Sequence, residues 1–240
     1  MQPTPEQPVS FADFKAHLVR LSETEVGYVL IGGLAVSAWA EAHLTLAESV
    51  EFDLPIYSKD IDLRGGKAAA MILAESLQAA GAEMKGIVAA TRKAAPHMGR
   101  IFAVGLLWRG QRTSVEVLER LPGLDSSLDE PPCGTPVATA EGIALLDPCS
   151  ICICKLHAAN TRPGEGANND VKHLLILARV IPRFLEKVRV TALPEYDARE
   201  DAQRLLALLE RCIAGHEPLR IPLPEADLAG LLAALRLHLN

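Results

Sequence analysis

Apolar residues at positions 11, 14, 18 and 21 fall on one helical face, and Ser10 stands where an N-cap belongs, so the pattern predicts a helix over 11–21. The run VGYVLI at 26–31 predicts a buried strand, followed at once by Gly32-Gly33 and a small-residue helix through LAVSAWAEA. Residues 44–58 show no clear period and carry Glu48, Glu51 and Asp53, so they read as an acidic loop or small insertion. Asp60 to Leu63 reads as a short strand, and Lys67 to Ala80 as a helix stopped by Gly81. Segments 83–90, 100–108 and 112–119 predict strands, the last two joined by a turn at Arg109-Gly110-Gln111. Residues 121–136, rich in Pro, Asp and Ser, predict a surface loop.

From Pro148 onward the period is helical. The segment TRPGEGANN separates the first of these helices from one starting near Asp170, and further helices are expected over 197–214 and 224–238. Strands and helices come first and helices alone follow. The chain therefore divides into an α/β core, residues 1–140, and a helical C-terminal region, residues 141–240.

Composition narrows the class. With 240 residues and 49% hydrophobic content, the chain has ample apolar material for a packed core. No apolar run approaches the roughly 20 residues of a membrane helix, and the N-terminal stretch is polar and Pro-rich, so a cytoplasmic protein without membrane attachment is expected. A net charge of −6 argues against an all-round basic surface, while leaving room for a local basic cleft. Five cysteines are too few for a disulfide scaffold. Cys149, Cys152 and Cys154 lack a paired zinc motif and read as small buried side chains of a helix.

Three features could carry chemistry. Gly32-Gly33 at a strand-to-helix turn either admits phosphate to a helix N-terminus or answers only a steric need. In Ser58-Lys59-Asp60-Ile61-Asp62-Leu63, strand alternation puts Asp60 and Asp62 on one face, with Ile61 and Leu63 on the other. Paired carboxylates repel unless a cation compensates, so they are either Mg²⁺ ligands or solvated edge residues. Glu116, between Val115 and Val117, is either a third ligand or an exposed strand residue.

Together, hydrophobic-strand–GG, then hDhDh, then a later h[DE]h strand resembles the nucleotidyltransferase superfamily, with its DNA polymerase β-like fold. The resemblance implies an α+β fold with a mixed sheet flanked by helices. It implies that Asp60, Asp62 and Glu116 bind two Mg²⁺ ions, that Gly32 and Gly33 bind the triphosphate of an NTP, and that NMP passes to an acceptor hydroxyl. A closer likeness is to AbiEii/MenA-type toxin nucleotidyltransferases of toxin–antitoxin systems. It rests on Gly32-Gly33-Leu34-Ala35, on the Ser58–Leu63 segment, on Lys155-Leu156-His157-Ala158 with Arg162, and on Asn169 to Leu175. It implies nucleotide contacts from Ser58 and Lys155, Asp170 as a buttress to Lys155, tRNA or another RNA as acceptor, and a cognate antitoxin.

The chain departs from that pattern at several places. Between Gly33 and Asp60 lie 26 residues (34 to 59), Ile56 stands for an Arg, Asn169 for a Lys and His173 for a second Asp. Lys59, Arg64, Arg92, Lys93 and Arg100 are candidates for a local basic cleft, and Arg92, Lys93 and the stretch from His97 to Arg100 either contact phosphates or an acceptor RNA or form a solvated loop. The alternatives are a small-molecule acceptor, as in antibiotic nucleotidyltransferases, and a non-catalytic nucleotide- or partner-binding member of the fold.

Overall fold

The structure, a computed structural model, describes residues 9–91, 100–118, 120–124, 134–162, 164–191 and 198–240. Its strands are β1 (Val9–Ser10), β2 (Tyr28–Leu30), β3 (Tyr57–Ser58), β4 (Asp60–Gly65), β5 (Glu83–Thr91), β6 (Arg100–Trp108), β7 (Gln111–Leu118), β8 (Pro136–Ala138) and β9 (Ala144–Leu146). Its helices are α1 (Phe11–Ser22), α2 (Gly32–His43), α3 (Leu46–Glu51), α4 (Lys67–Ala79), α5 (Pro148–Thr161), α6 (Glu165–Thr191), α7 (Ala198–Ile213) and α8 (Glu225–Leu239).

Seven strands form one sheet in the order β5-β6-β7-β4-β2-β9-β8. The pairs β4–β7 and β2–β9 are parallel and the other neighbours antiparallel. The fold is therefore α+β, a mixed sheet flanked by helices and followed by a helical C-terminal region. Parallel pairing of β4 with β7 follows from the intervening chain: α4 and the β5–β6 hairpin return the strand in the same direction. Arg109 (φ 50°) and Gly110 (φ 81°) both have positive φ, the two-residue turn that suits the twist of the β6–β7 hairpin.

Ile61, Leu63, Val115 and Val117 are buried on the two central strands, as their alternation requires. One apolar cluster runs from Val9 on β1 to Leu235 on α8, so the C-terminal helices share the core of the sheet. Helix α2, with Leu34 to Ala40 all buried, lies between β4 and α6. That accounts for its uniformly small, apolar sequence.

Several expectations are corrected. The 44–58 segment contains α3, capped by Thr45, whose hydroxyl accepts the Glu48 N–H at 3.3 Å. Glu48 has no helical period to mark it because its partner is distant: Arg183 on α6 grips the carboxylate through two bonds of 2.7 Å. That guanidinium holds the Glu48 carboxyl down at about 2. The strands β8 and β9 are too short to show alternation, and α6 begins at Glu165, ahead of Asp170. Within the expected 121–136 loop, Leu121 and Leu124 are buried; residues 125–133 lie outside the described set, as do Arg92, Lys93 and His97.

Asp147 caps α5 by accepting the Ser150 N–H at 2.8 Å, and is fully buried. Burial, and then the neighbouring buried Asp201, push its carboxyl up to about 8. The folded chain thus holds this proton more tightly than the unfolded chain does. The associated stability is present at acid pH and is lost as pH rises from about 4 to about 8. Asp147→Asn keeps the cap acceptor without needing the proton. Thermal melts between pH 5 and 8.5 are expected to show Tm falling with pH in the wild type and a flatter profile in the variant; parallel profiles would refute the assignment.

Candidate active site

Asp60, Asp62 and Glu116 come together because β4 and β7 run parallel and in register, with Asp60 opposite Ser114 and Asp62 opposite Glu116. Alternation sends all four side chains to the same face of the sheet. The Ser114 hydroxyl lies between carboxylates, 2.6 Å from Asp60 Oδ1 and 3.1 Å from Glu116 Oε1. Its one proton can serve only one of them at a time. Ser114 has no chemical signature of its own in the sequence; its place two residues before Glu116, on the same strand face, is the signal that marks it.

The Gly32 turn sits directly on this acidic face. Ile31 N–H donates to the Asp62 carbonyl at 3.0 Å, which fixes the start of α2 against β4. Gly32 has φ +70°, and a Cβ there would lie 2.2 Å from Asp62 Oδ2. Glycine is thus demanded twice, by backbone conformation and by the carboxylate occupying the space. Helix α2 has no side-chain cap and no acidic residue in its first turn, so its leading N–H groups lack side-chain acceptors.

A cavity of about 190 Å³ opens here. Gly32, Asp60, Asp62, Glu116, Lys155 and Arg162 line it together with Leu118, Leu121, Pro122, Ile151 and Cys154. Burial pushes the Asp62 carboxyl up to about 6; Lys155 opposes the shift, and Glu116 and Asp60 add to it. An added cation would reverse that balance. Among the described residues no three His, Cys, Asp or Glu side chains close into a ready-made metal cage. The donors are hard oxygens on one side of an open cavity, which fits Mg²⁺, an ion that commonly takes one or two carboxylates and completes its shell with water and phosphate oxygens.

Lys155, on α5, reaches the cavity although the residue is buried, and its Nζ is 2.7 Å from Asp170 Oδ1 on α6. Arg162 Nη1 is 3.5 Å from the other Asp170 oxygen. Asp170 thus holds two of the cations that line the cavity, and is itself almost wholly enclosed. Ser58 lies outside the cavity lining and donates to the Asp60 carbonyl at 2.8 Å, shaping the entry to β4. Gly33 faces His173 and Ser58. Lys59 is exposed and Arg64 buried, and neither lines the cavity, so the expected basic cleft reduces there to Lys155 and Arg162 among the described residues. Cys149 and Cys152 are buried, with thiols pushed upward by burial, as expected of packing residues; Cys154 faces the cavity.

Gly32→Ala is expected to destabilise the fold by about 2–4 kcal/mol, because strain at positive φ adds to displacement of Asp62. Gly33→Ala, whose Cβ would approach the His173 ring at 3.3 Å and Ser58 Oγ at 4.0 Å, should cost less. Urea denaturation of both variants measures the difference; equal losses would contradict the steric account.

No family model matches the chain, and no curated protein matches it. Among solved structures it is similar to the antibiotic-resistance factor ANT(2'')-Ia, with 15% identity over 85% of this chain and 93% of that one, TM-score 0.41. It is also similar to the Megavirus polyadenylate synthase, with 11% identity over 94% of this chain and a TM-score of 0.47. The match spans 48% of the polyadenylate synthase.

Proposed function

We propose that the chain is a Mg²⁺-dependent nucleotidyltransferase that moves NMP from an NTP to an acceptor hydroxyl. The observation that carries this reading is the in-register pairing of Asp62 with Glu116 directly beneath the uncapped N-terminus of α2. An acidic face that calls for cations and a helix end that attracts anions thus share one cavity. A metal–triphosphate complex satisfies both.

On this reading Asp60, Asp62 and Glu116 hold the metal, and bound Mg²⁺ supplies Lewis-acid polarisation of the α-phosphoryl group. The N–H groups of Gly32 and Gly33 receive phosphate oxygens. Lys155, aimed by Asp170, neutralises charge on the triphosphate, and Arg162 adds a second cation. The apolar lining residues Leu118, Leu121 and Ile151 receive the nucleoside. The Glu116 carboxylate accepts the acceptor hydroxyl's proton as the hydroxyl oxygen attacks the α-phosphorus. The new O–P bond forms as the bond to pyrophosphate breaks, in line.

The acceptor follows from the resemblance to the toxin family. It is RNA, with tRNA first, and the chain acts in the cytoplasm as a toxin restrained by a cognate antitoxin. A small-molecule hydroxyl is the alternative acceptor for the same chemistry.

Incubation with Mg²⁺, each α-³²P-labelled NTP and either total tRNA or small hydroxyl acceptors is expected to move label to RNA. Label found only on a small acceptor selects the alternative. Asp60→Asn, Asp62→Asn and Glu116→Gln are each expected to lower transfer by about a thousandfold, roughly 4 kcal/mol of barrier, with circular dichroism unchanged. Transfer unaffected by these substitutions would show that the site is elsewhere.

A further inference from the structure

The two aspartates of β4 are held in place by different means. Asp62 sits against the α2 turn, where its Oδ2 fills the space that a side chain at position 32 would need. Asp60 lies at the exposed start of the strand and has no such wall. Among the described residues its carboxylate takes one side-chain hydrogen bond, from the Ser114 hydroxyl at 2.6 Å.

Ser114 is itself firmly placed. It stands opposite Asp60 in the β4–β7 ladder, and its backbone N–H donates to the Lys59 carbonyl at 3.1 Å. One residue thus grips the chain at two successive positions as it enters β4. The lengths of the side-chain contacts assign the hydroxyl proton. A bond of 2.6 Å is that of a hydroxyl donating to an ionised carboxylate, whereas 3.1 Å to Glu116 Oε1 is long for any O–H···O bond. The proton points to Asp60 Oδ1, and the serine oxygen turns lone pairs toward Glu116. A carboxylate that an exposed strand end would leave rotating is thereby held in one orientation, at the edge of the cavity it lines.

Orientation matters unequally to different cations. Mg²⁺ demands near-ideal octahedral geometry at about 2.0–2.1 Å, while Ca²⁺ accepts flexible arrangements of oxygens at about 2.3–2.6 Å. A rotating carboxylate therefore penalises the smaller ion more than the larger. We propose that Ser114 is a positioning residue that fixes the Asp60 carboxylate for a small octahedral cation, and so makes the site prefer Mg²⁺ to Ca²⁺. The inference rests on the nucleotidyltransferase reading above. It adds a residue that does not line the cavity and acts through Asp60, which does.

The test is electron paramagnetic resonance of Mn²⁺, an octahedral stand-in for Mg²⁺, titrated into the full chain with a non-hydrolysable NTP. Displacement of the bound Mn²⁺ by Mg²⁺ and by Ca²⁺ gives the affinity of each. Ser114→Ala is expected to weaken Mn²⁺ and Mg²⁺ about tenfold, as for loss of a hydrogen bond to a ligating group, with Ca²⁺ binding unchanged. Ser114→Thr, which keeps the hydroxyl in a strand hospitable to β-branched residues, is expected to restore the preference for Mg²⁺. Thermal melts check that both variants fold. Unchanged Mg²⁺ binding in Ser114→Ala, or an equal fall for Mg²⁺ and Ca²⁺, would overturn the inference alone. A folded Ser114→Thr that behaves like Ser114→Ala, or a wild-type chain that binds Ca²⁺ as tightly as Mg²⁺, would do the same. A wild-type chain that binds none of the three cations, with the nucleotide or without it, would overturn the nucleotidyltransferase reading and this inference with it.

Discussion

Parallel, in-register pairing of β4 with β7 forces three carboxylates onto one patch of sheet, and much of the site is an answer to that crowding. The helix α2 begins immediately over Asp62, with a glycine where any side chain would collide with the carboxylate. The Ser114 hydroxyl stands between Asp60 and Glu116. Lys155 approaches from α5, and Asp170 keeps that ammonium in place from α6. Burial, and to a lesser degree like charge, raise the Asp62 carboxyl against the opposing pull of Lys155 and Arg162. A cation is the simplest completion of such an arrangement.

Helix α6 ties the site to the rest of the chain. Near its start Asp170 bonds the cavity-lining Lys155, the helix packs on α2 and α5, and Arg183 farther along clamps Glu48 and the His43 carbonyl. The acidic surplus of the sequence is distributed accordingly. Some carboxylates, such as Glu48 and Asp170, are paired with specific cations. Burial and the neighbouring Asp201 push the Asp147 carboxyl toward its protonated form. Asp60, Asp62 and Glu116 gather a further part of the surplus on one face of the sheet, an arrangement that net charge alone does not disclose.

The central strands and the glycine turn were legible in the sequence because alternation is a local property: Asp60-Ile61-Asp62-Leu63 and Val115-Glu116-Val117 state their own faces. The pairing of Lys155 with Asp170 was legible only through a family resemblance, since 15 positions separate them along the chain and a helix boundary lies between. Other features depend on contacts that no local pattern announces. Glu48 finds Arg183 at a separation of 135 residues. Two-residue and three-residue strands leave no period to read. The steric exclusion of a side chain at Gly32 by Asp62, and the placing of His173 against Gly33, exist only once β4, α2 and α6 have packed.

The central claim is that the β4–β7 carboxylate face takes divalent cations jointly with a polyphosphate. Electron paramagnetic resonance of Mn²⁺ titrated into the chain, with and without a non-hydrolysable NTP, measures this directly. The account predicts Mn²⁺ binding that tightens when the nucleotide is present and disappears in a folded Asp60→Asn/Asp62→Asn double variant. Mn²⁺ binding that is indifferent both to the nucleotide and to loss of the two aspartates would contradict it.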